Sequence, residues 1–206
     1  MKTLNCPQCG DALNIYFKYS KLTSCPSCKS TLLLDDEAVS KFGEMNLLDA
    51  EQTLLKMHKP FSYEGLTFTP IGKIRYAYLL GFWEEWFVID KGGKGFWISV
   101  DEGDFVKEEP LELETSLIQE LMEKTYLSNT VSIQNKKYLI SEKDQGICQG
   151  FEGEIPRSIQ VGEVLQYLHL TALKGSEHIT LEFEDGKYSA YKGQWLDAYD
   201  IEVEDV

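Results

Sequence analysis

Basic residues are scarce in this sequence. Lys and Arg number 20 against 34 Asp and Glu, a formal net charge of −14. So acidic a chain repels nucleic-acid phosphates and anionic lipid surfaces wherever no local basic patch overrides the mean, which favours basic or neutral partners. Long apolar runs are also missing. The longest candidate, YAYLLGFW at 76–83, falls well short of the roughly 20 residues a membrane-spanning helix needs. The opening MKTLNCPQCG holds a lysine but no apolar stretch of the secretory kind, so a cytoplasmic location is expected. No HExxH motif, Ser/His/Asp pattern or Cys/His dyad can be read. His58, His169 and His178 lie in unrelated segments, and Cys148 stands apart from the other cysteines. What is present suffices for a sizeable core: 206 residues, 43% hydrophobic and 12% aromatic, enough for one large domain or two small ones.

Four of the five cysteines carry the clearest chemistry. CPQCG at 6–10 and CPSCK at 25–29 are two CxxC knuckles with fifteen residues between them. In a reducing compartment this spacing favours metal over disulfides. Two intervening residues let a tight turn aim both sulfurs of a pair at one ion, and two such turns surround tetrahedral zinc with Cys6, Cys9, Cys25 and Cys28. Pro7 and Pro26 stiffen the turns; Gly10 supplies a permissive backbone that Lys29 replaces in the second knuckle. The pattern resembles a zinc ribbon over residues 1–34. Four thiolates leave no open coordination position, so a structural Zn²⁺ is expected, with iron as the competing metal.

The ribbon's Lys2, Lys18, Lys21 and Lys29 against Asp11 give a formal +3, which leaves −17 for the remainder. Four thiolates around Zn²⁺ add −2, so the metallated ribbon carries about +1, a thin basis for phosphate binding. Nucleic-acid binding through the ribbon is therefore the weaker alternative.

Residues 35–60 read as a helical connector, with Leu47, Leu48, Leu54, Leu55 and Met57 in a short amphipathic pattern ended by Pro60. From Phe61 the chain turns to short runs rich in aromatic and β-branched residues punctuated by glycine, which is antiparallel β grammar. The organisation expected is a first β module over 61–110, a helical linker over 111–128 containing TSLIQELMEKTYL, and a second β module over 129–206. The modules look related: 61–73 lies over 131–143, and further on Gly95 pairs with Gly193 and Trp97 with Trp195. The fold class is mainly β, α+β overall.

The body also resembles a bacterial family known as domain of unknown function 4178. The resemblance rests on F-x-Y-x-G-x-x-F-x-P-I-G-x-I-x-Y at 61–76, W-x-E-W at 83–86, W-[IL]-S at 97–99, G-x-x-G-x-I-P at 150–156 and G-x-W-L at 193–196. It covers roughly residues 61–206. It implies a small, cytosolic, β-rich protein without an assigned enzyme activity. Its relatives tend to be encoded beside membrane-stress, polyamine-synthase-like and small membrane proteins, and no catalytic residues carry over.

One segment stands out within the body, GFWEEWFVID at 81–90. As a strand it places Trp83, Glu85, Phe87 and Ile89 on one face and Phe82, Glu84, Trp86 and Val88 on the other. Glu84 and Glu85 therefore cannot act together as an acid/base pair. Either one glutamate meets solvent and the other a Lys, an Arg or backbone donors, or Trp83, Glu84, Glu85 and Trp86 include a recognition surface for a basic segment or a polyamine-like ligand. GGKG at 92–95 is not followed by a helical pattern and reads as a hairpin turn. The sequence thus points to a non-enzymatic binding or adaptor protein. The alternative is an enzyme or small-ligand binder with a pocket between the β modules.

Overall fold

A computed structural model describes residues 1–35, 38–44, 48 and 53–203. Five short strands come first: β1 (Lys2–Asn5), β2 (Ala12–Ile15), β3 (Leu22–Ser24), β4 (Ser30–Asp35) and β5 (Ala38–Glu44). β1 and β2 form a hairpin of their own, while β3, β4 and β5 run antiparallel in order. Leu13, Ile15 and Leu32 pack with Cys6 and Cys25 into a small core. This segment is too short to bury much more, which is the situation in which a metal supplies the missing stability.

The body opens with β6 (Phe61–Tyr63), β7 (Leu66–Tyr78), β8 (Gly81–Asp90), β9 (Gly95–Asp101) and β10 (Asp104–Pro110). Helix α1 (Thr115–Lys124) separates them from β11 (Thr130–Ile133), β12 (Lys136–Ile155), β13 (Val164–Ala172), β14 (Glu177–Glu184) and β15 (Lys187–Leu196). A single 3₁₀ turn (Ala198–Asp200) leads to β16 (Glu202–Val203), which pairs with β6. The meanders β7–β10 and β12–β15 join at both seams. Val106 of β10 faces Trp195 of β15, and Phe151 of β12 faces Ile74 of β7. Eight antiparallel strands therefore close into a barrel, which leaves its main sheet without free edges.

Local sequence sets these turns. Glu64–Gly65, Glu102–Gly103, Gln134–Asn135 and Asp185–Gly186 all have positive φ at both positions, the geometry of two-residue hairpin loops whose twist matches the strands. GGKG also forms a hairpin turn, in which Asp90 Oδ1 accepts from the N–H of Gly92 and Lys94. Glycine matters inside the barrel for a different reason: a Cβ on Gly146 would lie 2.1 Å from the Trp83 ring, so only glycine lets that indole fill the lumen.

Three apolar clusters hold the body. Ile74, Tyr76, Trp83, Leu165 and Tyr167 fill part of the interior. Helix α1 lays Ile118, Leu121 and Met122, spaced three and four apart, on the outer side chains of Leu168, Leu170, Ile179 and Leu181. Lys143 Nζ stabilises the end of this helix by donating to the carbonyls of Met122 and Thr125. On the other side of the barrel, Leu55, Phe61 and Ile201 cover the outer faces of Trp86, Val88, Phe96 and Ile98.

The connector differs from expectation. Residues 38–44 form strand β5 because β4 presents an open edge whose backbone groups pair more readily with a strand than with a helix. Residues 53–60 contain turns and no helix, and Leu55 packs beneath Phe61. The remaining parts of the stretch read as helical, 36–37, 45–47 and 49–52, lie outside the described residues. No helix among the described residues is long and apolar enough to cross a membrane.

Candidate metal centre and barrel interior

The four knuckle sulfurs converge. Their Sγ atoms all lie within 4.8 Å of one another, with Cys6 3.7 Å from Cys28 and Cys9 3.7 Å from Cys25. A tetrahedron with metal–sulfur bonds of about 2.3 Å has edges of about 3.8 Å, so the two 3.7 Å pairs already have the spacing of a Cys₄-bound ion. Each knuckle is built alike. Gly10 N–H donates to the Cys6 carbonyl at 2.8 Å and Lys29 N–H to the Cys25 carbonyl at 2.9 Å. Both turn-closing residues are left-handed, Gly10 at φ 80° and Lys29 at φ 61°. Lys29 thus adopts the backbone that glycine supplies in the first knuckle, at a modest conformational cost. Ser27 Oγ donates to the Asp11 carboxylate and ties the knuckles together.

A single carboxylate fastens this unit to the barrel. Glu154, at the far end of β12, is 2% exposed. Its Oε1 accepts from Tyr16 N–H at 2.7 Å, and its Oε2 from Phe17 N–H at 3.0 Å and Ser20 Oγ at 2.7 Å. Beside it, β3 pairs with β12 through Thr23–Glu154 and Leu22–Ile155. Phe17 then reaches the barrel and packs edge-on against Phe87, ring centroids 4.9 Å apart. The loop between the knuckles is therefore held by charge-assisted hydrogen bonds and by sheet continuation.

Strand β8 lies where both of its faces are covered. Trp83, Glu84, Glu85 and Trp86 are 7%, 3%, 6% and 2% exposed, so these residues do not form the exposed recognition surface that was one of the two readings of the sequence. The cause is closure: one face of β8 lines the lumen and the other lies beneath the Leu55, Phe61 and Ile201 cluster. Glu84 points outward, bound by Lys73 Nζ at 3.1 Å, by Arg75 Nη2 at 2.7 Å and by the Trp86 indole N–H at 3.0 Å. Glu85 points inward and accepts from the Trp83 indole at 2.9 Å. Each glutamate is tied to the tryptophan two residues away on its own face.

The interior is acidic. Glu85, Glu108 and Glu182 line a cavity of about 20 Å³ together with Ser99, His169 and Thr180, room for one water-sized occupant. Burial, with repulsion from Glu108 and Glu182, holds the Glu85 carboxyl well above the usual carboxylate range. Burial pushes Glu182 up to about 7 and raises Glu108, whose carboxylate accepts from the Thr180 hydroxyl. Burial also lowers His178 to about 3. The countercharge is Arg157, from the turn between β12 and β13. It donates to Tyr76 Oη at 2.7 Å and pairs with Glu184 at 2.9 Å and Glu182 at 3.7 Å.

Sequence reasoning missed Glu108, Glu154, Arg157 and Glu182. In HITLEFE, His178, Thr180 and Glu182 alternate with Ile179, Leu181 and Phe183, the pattern of a sheet with one solvated face. Closure turns that polar face inward. A single strand carries no signal of closure, whereas polar alternation on several strands at once would have hinted at a polar lumen.

The architecture defines a small cysteine-bearing β unit docked on an eight-stranded barrel. The family model described as Domain of unknown function (DUF4178) matches residues 59–198, and the chain belongs to that family. The match runs from just before β6 to just beyond β15, so it covers the barrel and leaves the cysteine unit outside it. No curated protein and no solved structure matches the chain.

Proposed function

We propose that this protein is a non-enzymatic binding or adaptor protein of the cytoplasm, in which a zinc-filled ribbon is braced against the barrel. The observation that carries the reading is the convergence of Cys6, Cys9, Cys25 and Cys28 within 4.8 Å. Four thiolates use every tetrahedral position of Zn²⁺, so the metal's part is to fold and hold the ribbon. The lumen cavity of about 20 Å³ admits a water, so it does not supply the ligand pocket between the β modules that the alternative reading requires. The two meanders are read as related modules, supported by the shared order of short strand, two-residue left-handed turn and long strand at β6–β7 and β11–β12. The later part of that correspondence is out of step, because Gly95 opens β9 while Gly193 lies in β15. Resemblance to the family points to membrane-stress or polyamine-related gene clusters as the setting.

Affinity capture from the native host tests the reading, with wild type compared against Cys9→Ser. A partner recovered with the zinc-loaded protein and lost with Cys9→Ser supports it. Equal recovery with both variants overturns the ribbon's share in binding.

A further inference from the structure

A depression with basic side chains lies on the ribbon. It is a groove of about 540 Å³ that takes in Lys2, Lys18 and Lys21 and no acidic side chain among the described residues. Its floor is apolar: Leu4, Ile15 and Leu34 lie along it. Tyr16 and Tyr19 stand at its edge, 40% and 64% exposed, with the Lys18 ammonium 5.3 Å from the centre of the Tyr19 ring.

This loop is held in place. Glu154 fixes the Tyr16 and Phe17 amides and the Ser20 hydroxyl from beneath. Lys21 N–H donates to the Ile155 carbonyl and Leu34 N–H to the Lys21 carbonyl, both at 2.8 Å. A partner docking here meets a preorganised backbone and loses little entropy in ordering it.

We propose that this groove is a docking site for a short acidic peptide segment of a partner protein, anchored by an aromatic or aliphatic side chain on the apolar floor. The inference rests on the binding-protein reading and names the chemistry of the partner. Charge complementarity selects the occupant. Lys18 and Lys21 attract carboxylates, while residues 35–206, at −17, repel an acidic partner from other approaches and so orient it. A short peptide confines its charge to the groove. A polynucleotide extends beyond it and brings further phosphates against the acidic body, so a nucleic acid is the poorer fit.

Fluorescence anisotropy on the full-length, metal-loaded protein tests the proposal. The probe is a fluorescein-labelled peptide of about ten residues, with glutamates flanking a central Leu-Trp pair, titrated at low and near-physiological salt. The expected result is saturable binding that weakens with salt, drops roughly tenfold in Lys18→Glu/Lys21→Glu and drops severalfold in Tyr19→Ala. Metal content and melting temperature should be unchanged, because these side chains are exposed. A labelled oligothymidine that binds more tightly than the peptide overturns the proposal in favour of nucleic acid. Peptide binding that emerges only after the chain's own acidic residues at 35–52 are neutralised overturns it in favour of an internal occupant. No peptide binding, or binding indifferent to both lysines, overturns it outright, while a native partner still captured by the double variant leaves the binding-protein reading standing.

Discussion

The Glu154 carboxylate lies beneath the backbone N–H of Phe17, 3.0 Å from it, although the two residues are far apart in sequence and belong to different units of the molecule. With Tyr16 and Ser20 as its other donors, this buried carboxylate clasps the cysteine-bearing unit to the barrel. Glu154→Ala should cost roughly 2–4 kcal/mol, because it leaves buried donors without an acceptor. Hydrogen exchange is expected to rise at residues 16–24 before it rises in β13 or β14. A uniform rise across the barrel would mean that Glu154 supports the whole fold and does not act as a local clasp.

Trp83 and Trp86 are both core residues. Replacing either with alanine should lower stability by about 3–5 kcal/mol in urea unfolding, by loss of apolar burial and by leaving Glu85 or Glu84 without its indole donor. Stability close to wild type in one variant, with a selective loss of partner recovery, would restore the recognition surface that the sequence offered as an alternative.

The lumen should make stability pH-dependent. Glu85 and Glu182 have folded-state pKa values above their ordinary range, so between that range and the folded values the native protein holds more protons than the unfolded chain, and stability falls as pH rises. His178, lowered to about 3, acts oppositely below its ordinary value of 6.5. Above that pH the carboxyls dominate. Unfolding free energy of the metal-loaded protein is therefore expected to decline from about pH 6.5 to 8.5, with a shallower decline in Glu85→Gln. A flat or rising profile over this range would show that Arg157 and an internal water compensate the charges fully.

What could be read in advance follows from the range of each signal. The CxxC knuckles are local, and their spacing alone places four sulfurs around one point. Hairpins at Glu64–Gly65 and Asp185–Gly186, and helix α1, are equally local. The faces of β8 were also legible: alternation separates Glu84 from Glu85, and the structure keeps them on opposite sides. That both faces are covered was not, because that depends on pairing between β12 and β7 and between β10 and β15. The Glu154 clasp has no local signature at all, since its donors are mostly backbone amides, which every sequence carries.

The central claim, a Cys₄ metal site that folds the ribbon, is tested most directly by the metal content of protein purified under reducing conditions, measured by inductively coupled plasma mass spectrometry alongside a thiol count. The account predicts close to one zinc per chain, with metal lost in Cys9→Ser while the barrel melts cooperatively as before. Metal-free protein with four reactive knuckle thiols, or with two disulfides, would contradict it.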